Sequence, residues 1–358
     1  MRINGINILA INPGSTSTRV ALFCGEECVF SETVAHPREV LLKCSDLLEQ
    51  LPLRTLAIER VLSEHDVSLG SLSCIMARGG MLPPCAPGAY RVGTDMLDYV
   101  RKNAKHAHIS GVACLIAHEL AERAGIPAYI YDPVTVDELS DLARITGLKE
   151  LNKECRGHAL SVRACAREMA EKLGRDWSKC TFIVAHLGGG CTVWLVQNAK
   201  CVDMYSDDDG CFSPERAGRL QAVPLIRMCF EGGYTLDQMI AKIRREGGLI
   251  SHLGTSDARE VEERISAGDE RARLVYEALA YGVGKCIGDL AAAAKGKVDR
   301  IILTGGLSNS KMLTGWIRER TEWIAPVELM SEEREMRALA MGGLRVLRGE
   351  EQAKEFYG

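Results

Sequence analysis

The sequence predicts an α/β protein of two domains, each built on a sheet of mixed strand direction. Three observations predict it. The chain has 358 residues, more than one ordinary core takes, so two packed domains are expected. Apolar strand-like runs alternate with helical periodicities from end to end. A strand, a loop of small residues and a returning strand occur twice, with Gly14 in one copy and Gly188 in the other, which points to a duplicated unit.

Taken in order, INILAI (6–11) is a β-forming apolar run closed by the turn-prone NPGSTST, and 19–23 returns at once as the second arm of a hairpin. Helical patterns cover 38–50 and 53–64, and SLSCIMA reads as a strand leading to Arg78. Residues 110–124 have helical spacing, with Gly125 and Pro127 as the stop, and AYIYD is a strand ending at Asp132. The pattern then restarts. Residues 153–174 read as a long helix, TFIVAHL as a strand closed by Gly188, Gly189 and Gly190, and CTVWLV as the strand that returns. An Ala-rich helix over 268–295 leads to the strand RIILT, a glycine pair, and a last helix over 336–347.

Composition excludes several classes. With 46% hydrophobic and 26% charged residues and a net charge of −4, no clustered basic face for nucleic acid or a membrane surface is expected. There is neither a secretory leader pattern nor an apolar run of membrane-spanning length, so the expectation is a cytoplasmic protein. The 14 cysteines include no C-x-x-C pair, and Cys24 and Cys28 lack partners at zinc-ligand spacing. They are expected to be reduced and mostly packed in the core.

Three glycine-rich turns follow apolar strands: 12–18, 188–190 and 305–306. Backbone N–H groups in such turns can point at phosphate oxygens, and the hydroxyls of Ser15, Thr16 and Ser17 add donors without bulk. Any one is no more than a turn; three in one chain point to a nucleotide. The rival motifs fail. No GxxxxGK[ST] occurs, and the glycines 282, 284 and 288 lie inside a helical run with no strand before them, so they read as helix packing.

INPGSTSTRVALF, ARGG (77–80), YDPVTVDE (131–138), HLGGG (186–190), FSPERAG (212–218), GTSDAREVE (254–262) and TGGLSNS (304–310) stand in the order found in acetate and butyrate kinases, and the resemblance covers nearly the whole chain. FSPER, PVTVDE and HLGGG resemble the butyrate kinases more closely. The resemblance implies the actin-like ATPase fold, two ribonuclease-H-like domains around a nucleotide cleft. It places 1–134 plus 336–358 in the first domain and 135–335 in the second. It also implies ATP and Mg²⁺ as cofactors, a short-chain carboxylic acid as substrate, and a homodimer or higher homo-oligomer.

By position, the resemblance assigns the ATP phosphates to Asn12, Gly14, Ser15, Thr16 and Ser17, and to His186, Gly188, Gly189 and Gly190. Gly305, Gly306, Leu307 and Asn309 would lie against the adenosine, with Asp257 and Arg259 beside the nucleotide. Arg216 matches an arginine that acts on the transferring phosphoryl group. Asp132, His158 and His106 match cleft residues, with His108 as the alternative to His106. Glu335 and Asn12 would help place Mg²⁺. The segment SEEREMRALA departs from the family here, with Arg334 where an Asn is usual and Glu333 as an alternative acid.

The chemistry explains these residue types. A carboxylate has a pKa of about 4–5, so at neutral pH it is already an anionic nucleophile and needs no general base. The obstacle is its repulsion from the phosphates, which arginines and Mg²⁺ relieve. Arg78 and Arg216 are the pair assigned to substrate and transition state, and His158 the donor to a phosphoryl oxygen. Asp132 would orient an arginine or a magnesium-bound water. The reaction implied is ATP + butanoate giving ADP + butanoyl phosphate. The alternatives are another short-chain acid, or a non-catalytic nucleotide-binding protein on the same fold.

Overall fold

The computed structural model describes residues 5–41, 43–44, 46–103, 109–331 and 334–357. The chain divides into two compact units, Met1–Asp137 with Arg334–Gly358, and Glu138–Glu333.

The first unit holds β1 (Asn7–Pro13), β2 (Ser17–Cys24), β3 (Glu27–Ala35), β4 (Cys74–Arg78), β5 (Ala89–Arg91) and β6 (Ala128–Tyr131) in one sheet of order β3-β2-β1-β4-β6-β5. β1, β2 and β3 run antiparallel, whereas β4 runs parallel to β1, and β6 parallel to β4. Every residue of β1 is buried. That follows from helices on both faces: Leu9 and Ile11 join the core under Leu51–Glu64 and Val112–Ala124, while Glu335–Leu347 packs on the opposite face. Gly342 and Gly343 let that last helix close on the sheet, since a Cβ there would strike the Tyr131 ring and the Met76 side chain.

The second unit repeats the plan. β7 (Thr181–Leu187), β8 (Cys191–Gln197), β9 (Lys200–Tyr205), β10 (Arg300–Thr304) and β11 (Val327–Met330) are ordered β9-β8-β7-β10-β11. Again the first three are antiparallel and the last two extend the sheet in parallel. Glu270–Ala293 and Lys311–Thr321 cover one face and Ala159–Lys172 packs on β7 and β8. The duplication anticipated from the two hairpins is therefore a duplication of the whole five-strand plan.

Three expectations need correction. Residues 38–50 are not one helix: helix occupies only Arg38–Leu41, and the Asp46 carboxylate accepts the N–H groups of Leu48 and Glu49, starting a separate turn at Leu48–Gln50. The helix expected over 153–174 begins at Ala159, because Gly157 is pressed against Trp194 and Lys153 is drawn to Asp203. Gly282 and Gly284 face Cys211 and Arg320 closely, but a Cβ on Gly288 would meet nothing within 4 Å, so that glycine has no packing role. All 14 cysteines are free and nine are buried, as the composition suggests. Among the described residues no helix is long and apolar enough to cross a membrane.

Candidate active site

In the first unit, the carboxyl ends of three adjacent parallel strands carry the predicted residues. The register sets Ile11 beside Ala77 and Arg78 beside Tyr131, so Asn12, Arg78 and Asp132 lie at one end of the sheet. Open α/β sheets bind ligands at this end. Glu335, the first residue of the last helix, joins two of them: its Oε2 accepts from Asn12 Nδ2 at 2.7 Å and from Arg78 Nη1 at 2.6 Å. Asp132 is held differently. It is buried, has φ 39°, and its Oδ1 accepts the Gly88 N–H at 2.7 Å. The ARGG glycines have a packing reason, since a Cβ on Gly79 or Gly80 would strike Pro133 or Gly111.

The β1–β2 turn is tight, with Gly14 N–H donating to Ser17 O at 2.8 Å. Beneath it lies a residue the sequence did not single out, Arg54, whose side chain is fully buried. It donates to Ser17 O (2.9 Å), Ser15 O (3.3 Å), Thr18 Oγ1 (3.0 Å) and Gln50 Oε1. Thr18 Oγ1 also lies within hydrogen-bond distance of His36 Nε2, at 2.7 Å. Burial, with Arg54 as the second cause, holds the imidazole below its ordinary pKa. His106 and its alternative His108 lie outside the described residues, as does Glu333.

In the second unit, His186 near the end of β7 stacks on His158, which precedes the helix Ala159–Lys172; the ring centroids are 3.9 Å apart. His158 Nδ1 is 3.0 Å from Thr192 Oγ1, which also accepts from Trp194 Nε1 at 2.9 Å. His158 makes no side-chain bond to the helix end, so capping does not explain it.

The turn at 188–190 is gripped by the segment FSPER. Gly189 O accepts from Ser213 Oγ at 2.6 Å and from Glu215 N at 3.2 Å. Cβ atoms on Gly189 and Gly190 would meet the Glu215 and Asp207 carboxylates. Arg216 sits alongside this turn, its guanidinium anchored by Asp207 (3.3 Å), Glu215 (3.1 Å) and the carbonyl of Arg244. Its backbone is fixed too, with Arg216 N donating to the fully buried Ser213 side chain. Such a seat gives the guanidinium one orientation at the edge of the glycine turn.

Gly305, at the end of β10, has φ 87° and would place a Cβ 2.5 Å from Leu187 O. Only glycine fits, and the third glycine turn is thereby set against the end of β7. Ser308 Oγ and Asn309 Nδ2 bond back to Gly305 O and Gly306 O, and Leu307 packs into the core. Asp257 and Arg259 stand apart. Asp257 caps the helix Ala258–Ser266 and forms a bidentate pair with Arg259, which holds its carboxyl down at about 2. Among the described residues no hydrogen bond joins this pair to the glycine turns. The link is Glu262 of the same helix, which accepts from Ser310 Oγ just beyond the third turn.

Two sheets of one plan, with glycine turns at strand ends, define an α/β protein of the actin-like ATPase fold. Solved structures agree: Porphyromonas gingivalis acetate kinase superposes with a TM-score of 0.78 at 17% identity, covering 96% of this chain and 100% of that one. A propionate kinase from Francisella tularensis subsp. tularensis gives 0.75 at 16% identity, covering 94% and 98%. The acetokinase family model matches residues 153–329. A probable butyrate kinase 2 of Caldanaerobacter subterraneus subsp. tengcongensis is 45% identical over 348 residues, 97% of this chain and 98% of that protein. The chain belongs to the acetokinase family, whose members are phosphotransferases with a carboxyl group as acceptor.

Proposed function

We propose that this protein transfers the γ-phosphoryl group of MgATP directly to butanoate, giving ADP and butanoyl phosphate. The observation that carries the reading is the 45% identity, over 97% of the chain, to a protein named a probable butyrate kinase. The seat of Arg216 supports it, because a phosphoryl transfer needs a fixed cation beside donors for phosphate oxygens.

In this reading the turns at 12–18 and 188–190 take the phosphates through Asn12, Gly14, Ser15, Thr16, Ser17, Gly188, Gly189 and Gly190. The turn bearing Gly305, Gly306, Leu307 and Asn309, with Asp257 and Arg259, takes the nucleoside. Arg216 neutralises the equatorial oxygens of the transferring group, and His158 and His186 donate to them. Arg78 meets the acid carboxylate, and no residue need take a proton. Asp132 fixes the strand-end backbone through Gly88 and orients what approaches it. Glu335 carries one carboxylate already balanced by Arg78, and among the described residues no cluster of three acidic, His or Cys ligands exists. Glu335 and Asn12 would therefore hold a Mg²⁺ that arrived with the nucleotide through its water, and the ion would supply neutralisation of phosphate charge. The site of action is the cytoplasm.

The test is chain-length preference. With MgATP and acids of two to six carbons, trapped acyl phosphate should peak in kcat/KM at four. A hydrophobic pocket separates neighbouring acids by about 1–3 kcal/mol per methylene, so the preference over propanoate should be roughly tenfold or more. A maximum at two carbons would overturn the assignment of butanoate.

The protein is also proposed to self-associate. Helix Ala222–Glu231 buries none of its residues, and Leu236–Arg244 buries only Met239. Leu220, Val223, Ile226, Phe230, Leu236 and Ile240 are all exposed there. Six large apolar side chains left exposed on and beside two neighbouring helices are the kind of surface that a partner usually covers. Arg227 and Glu231 lie four residues apart on one face, so two copies packed antiparallel would pair them reciprocally. Light scattering should give a dimer or larger, and Phe230→Asp should shift it towards monomer; a monomeric wild type would refute this.

A further inference from the structure

A buried cation without a buried anion marks a place where an anion is missing from the protein itself. Arg54 is such a cation. Its guanidinium has five N–H groups, and five hydrogen bonds use them: two to Gln50 Oε1, and one each to Ser15 O, Ser17 O and Thr18 Oγ1. Every acceptor is neutral. Among the described residues no carboxylate pairs with it, although the side chain is fully buried and desolvation draws its pKa down to about 10. At neutral pH it still carries its charge. A charge buried in this way is costly, and proteins usually set a carboxylate against it.

The location explains the cost. All three loop acceptors belong to the β1–β2 turn, and the two carbonyls at Ser15 and Ser17 are drawn inward to the guanidinium. With those carbonyls engaged inward, Ser15 and Thr16 remain exposed at the tip of the turn. We propose that Arg54 is a positioning residue for polyphosphate binding: it sets the 12–18 turn as an anion-binding nest and supplies a permanent positive charge beneath it. The missing counter-anion is the phosphate chain of the nucleotide. His36 supports the same device from the other side. Its Nε2 lies 2.7 Å from Thr18 Oγ1 and its backbone N–H donates to Thr16 O at 2.8 Å, while burial, with Arg54 as the second cause, lowers the pKa of its ring.

This rests on the reading that the turn receives the phosphates, and the experiment separates the two. Affinity for ATP, ADP and adenosine is measured by calorimetry on the full-length wild type, Arg54→Met and Arg54→Lys. Arg54→Met removes the charge at similar length, and Arg54→Lys keeps the charge but loses the fork. For Arg54→Met, ATP and ADP affinity should fall roughly tenfold or more while adenosine affinity stays within about twofold. KM for ATP should rise while KM for the acid does not, and Arg54→Lys should recover part of the loss. Equal loss for adenosine and ATP, or an unchanged ATP affinity in folded Arg54→Met, overturns the proposal. Should Arg54→Met fail to fold, the ATP-to-adenosine ratio in Arg54→Lys decides it, and an unchanged ratio overturns it. A wild type that binds no nucleotide overturns the underlying reading instead.

Discussion

Arg216→Ala is expected to reduce kcat by about 10³-fold or more while leaving the fold intact, as removal of a charge-stabilising arginine does in phosphoryl transfer. The expectation follows from how the side chain is held. Asp207, Glu215 and the carbonyl of Arg244 fix the guanidinium, so it is presented without further ordering when charge develops on the transferring oxygens. Lysine should not rescue it, because a point charge on a flexible stem cannot reproduce contacts made through a planar fork. The fold should survive because the residue is partly exposed and the backbone of the segment is held by Ser213. Circular dichroism and kcat, measured on one preparation, check both halves. Turnover within tenfold of wild type would remove Arg216 from the chemistry.

Gly248→Ala should be the most damaging single-methyl change in the second unit. Gly248 has φ 60°, and a Cβ there would run into the Ser213 carbonyl and crowd that of Arg216. The strained conformation costs an alanine about 1–2 kcal/mol, and displacing buried backbone adds to it, so a total on the order of 3–5 kcal/mol is expected. Gly247 reinforces the point, since its N–H donates to Glu215 O and its own Cβ would strike Ala217. The pair therefore forms the floor on which Pro214, Glu215 and Arg216 rest. Urea denaturation should show the loss, and kcat should fall with it. A variant within about 1 kcal/mol of wild type would mean that the segment moves freely, contrary to the seat described for Arg216.

Much of this is legible in the sequence. Both hairpins, the strand leading to Arg78 and the Gly125 helix stop carry local signals, namely apolar runs closed by residues that turn. FSPER could be singled out as a motif, but its grip on the 188–190 turn could not, since that contact joins distant parts of the chain. The helical period over 38–50 misled because one carboxylate, Asp46, offers backbone N–H groups a competing partner that periodicity does not record. Arg54 was invisible for a related reason. An arginine in the first turn of an amphipathic helix looks like any solvated cation, and only tertiary structure puts it under a loop 36 to 39 residues away. Glycines 247 and 248 carry a local signal of their own, since a doublet ahead of an apolar run is the mark of a close approach as much as of a turn.

Phosphoryl transfer to butanoate is tested most directly by acyl phosphate formation from MgATP and butanoate, trapped with hydroxylamine and compared with ADP released. Butanoyl hydroxamate is expected in amounts equal to ADP, strictly dependent on the acid and lost in Arg216→Ala. ADP released without hydroxamate, or no turnover with any acid of two to six carbons, would contradict it.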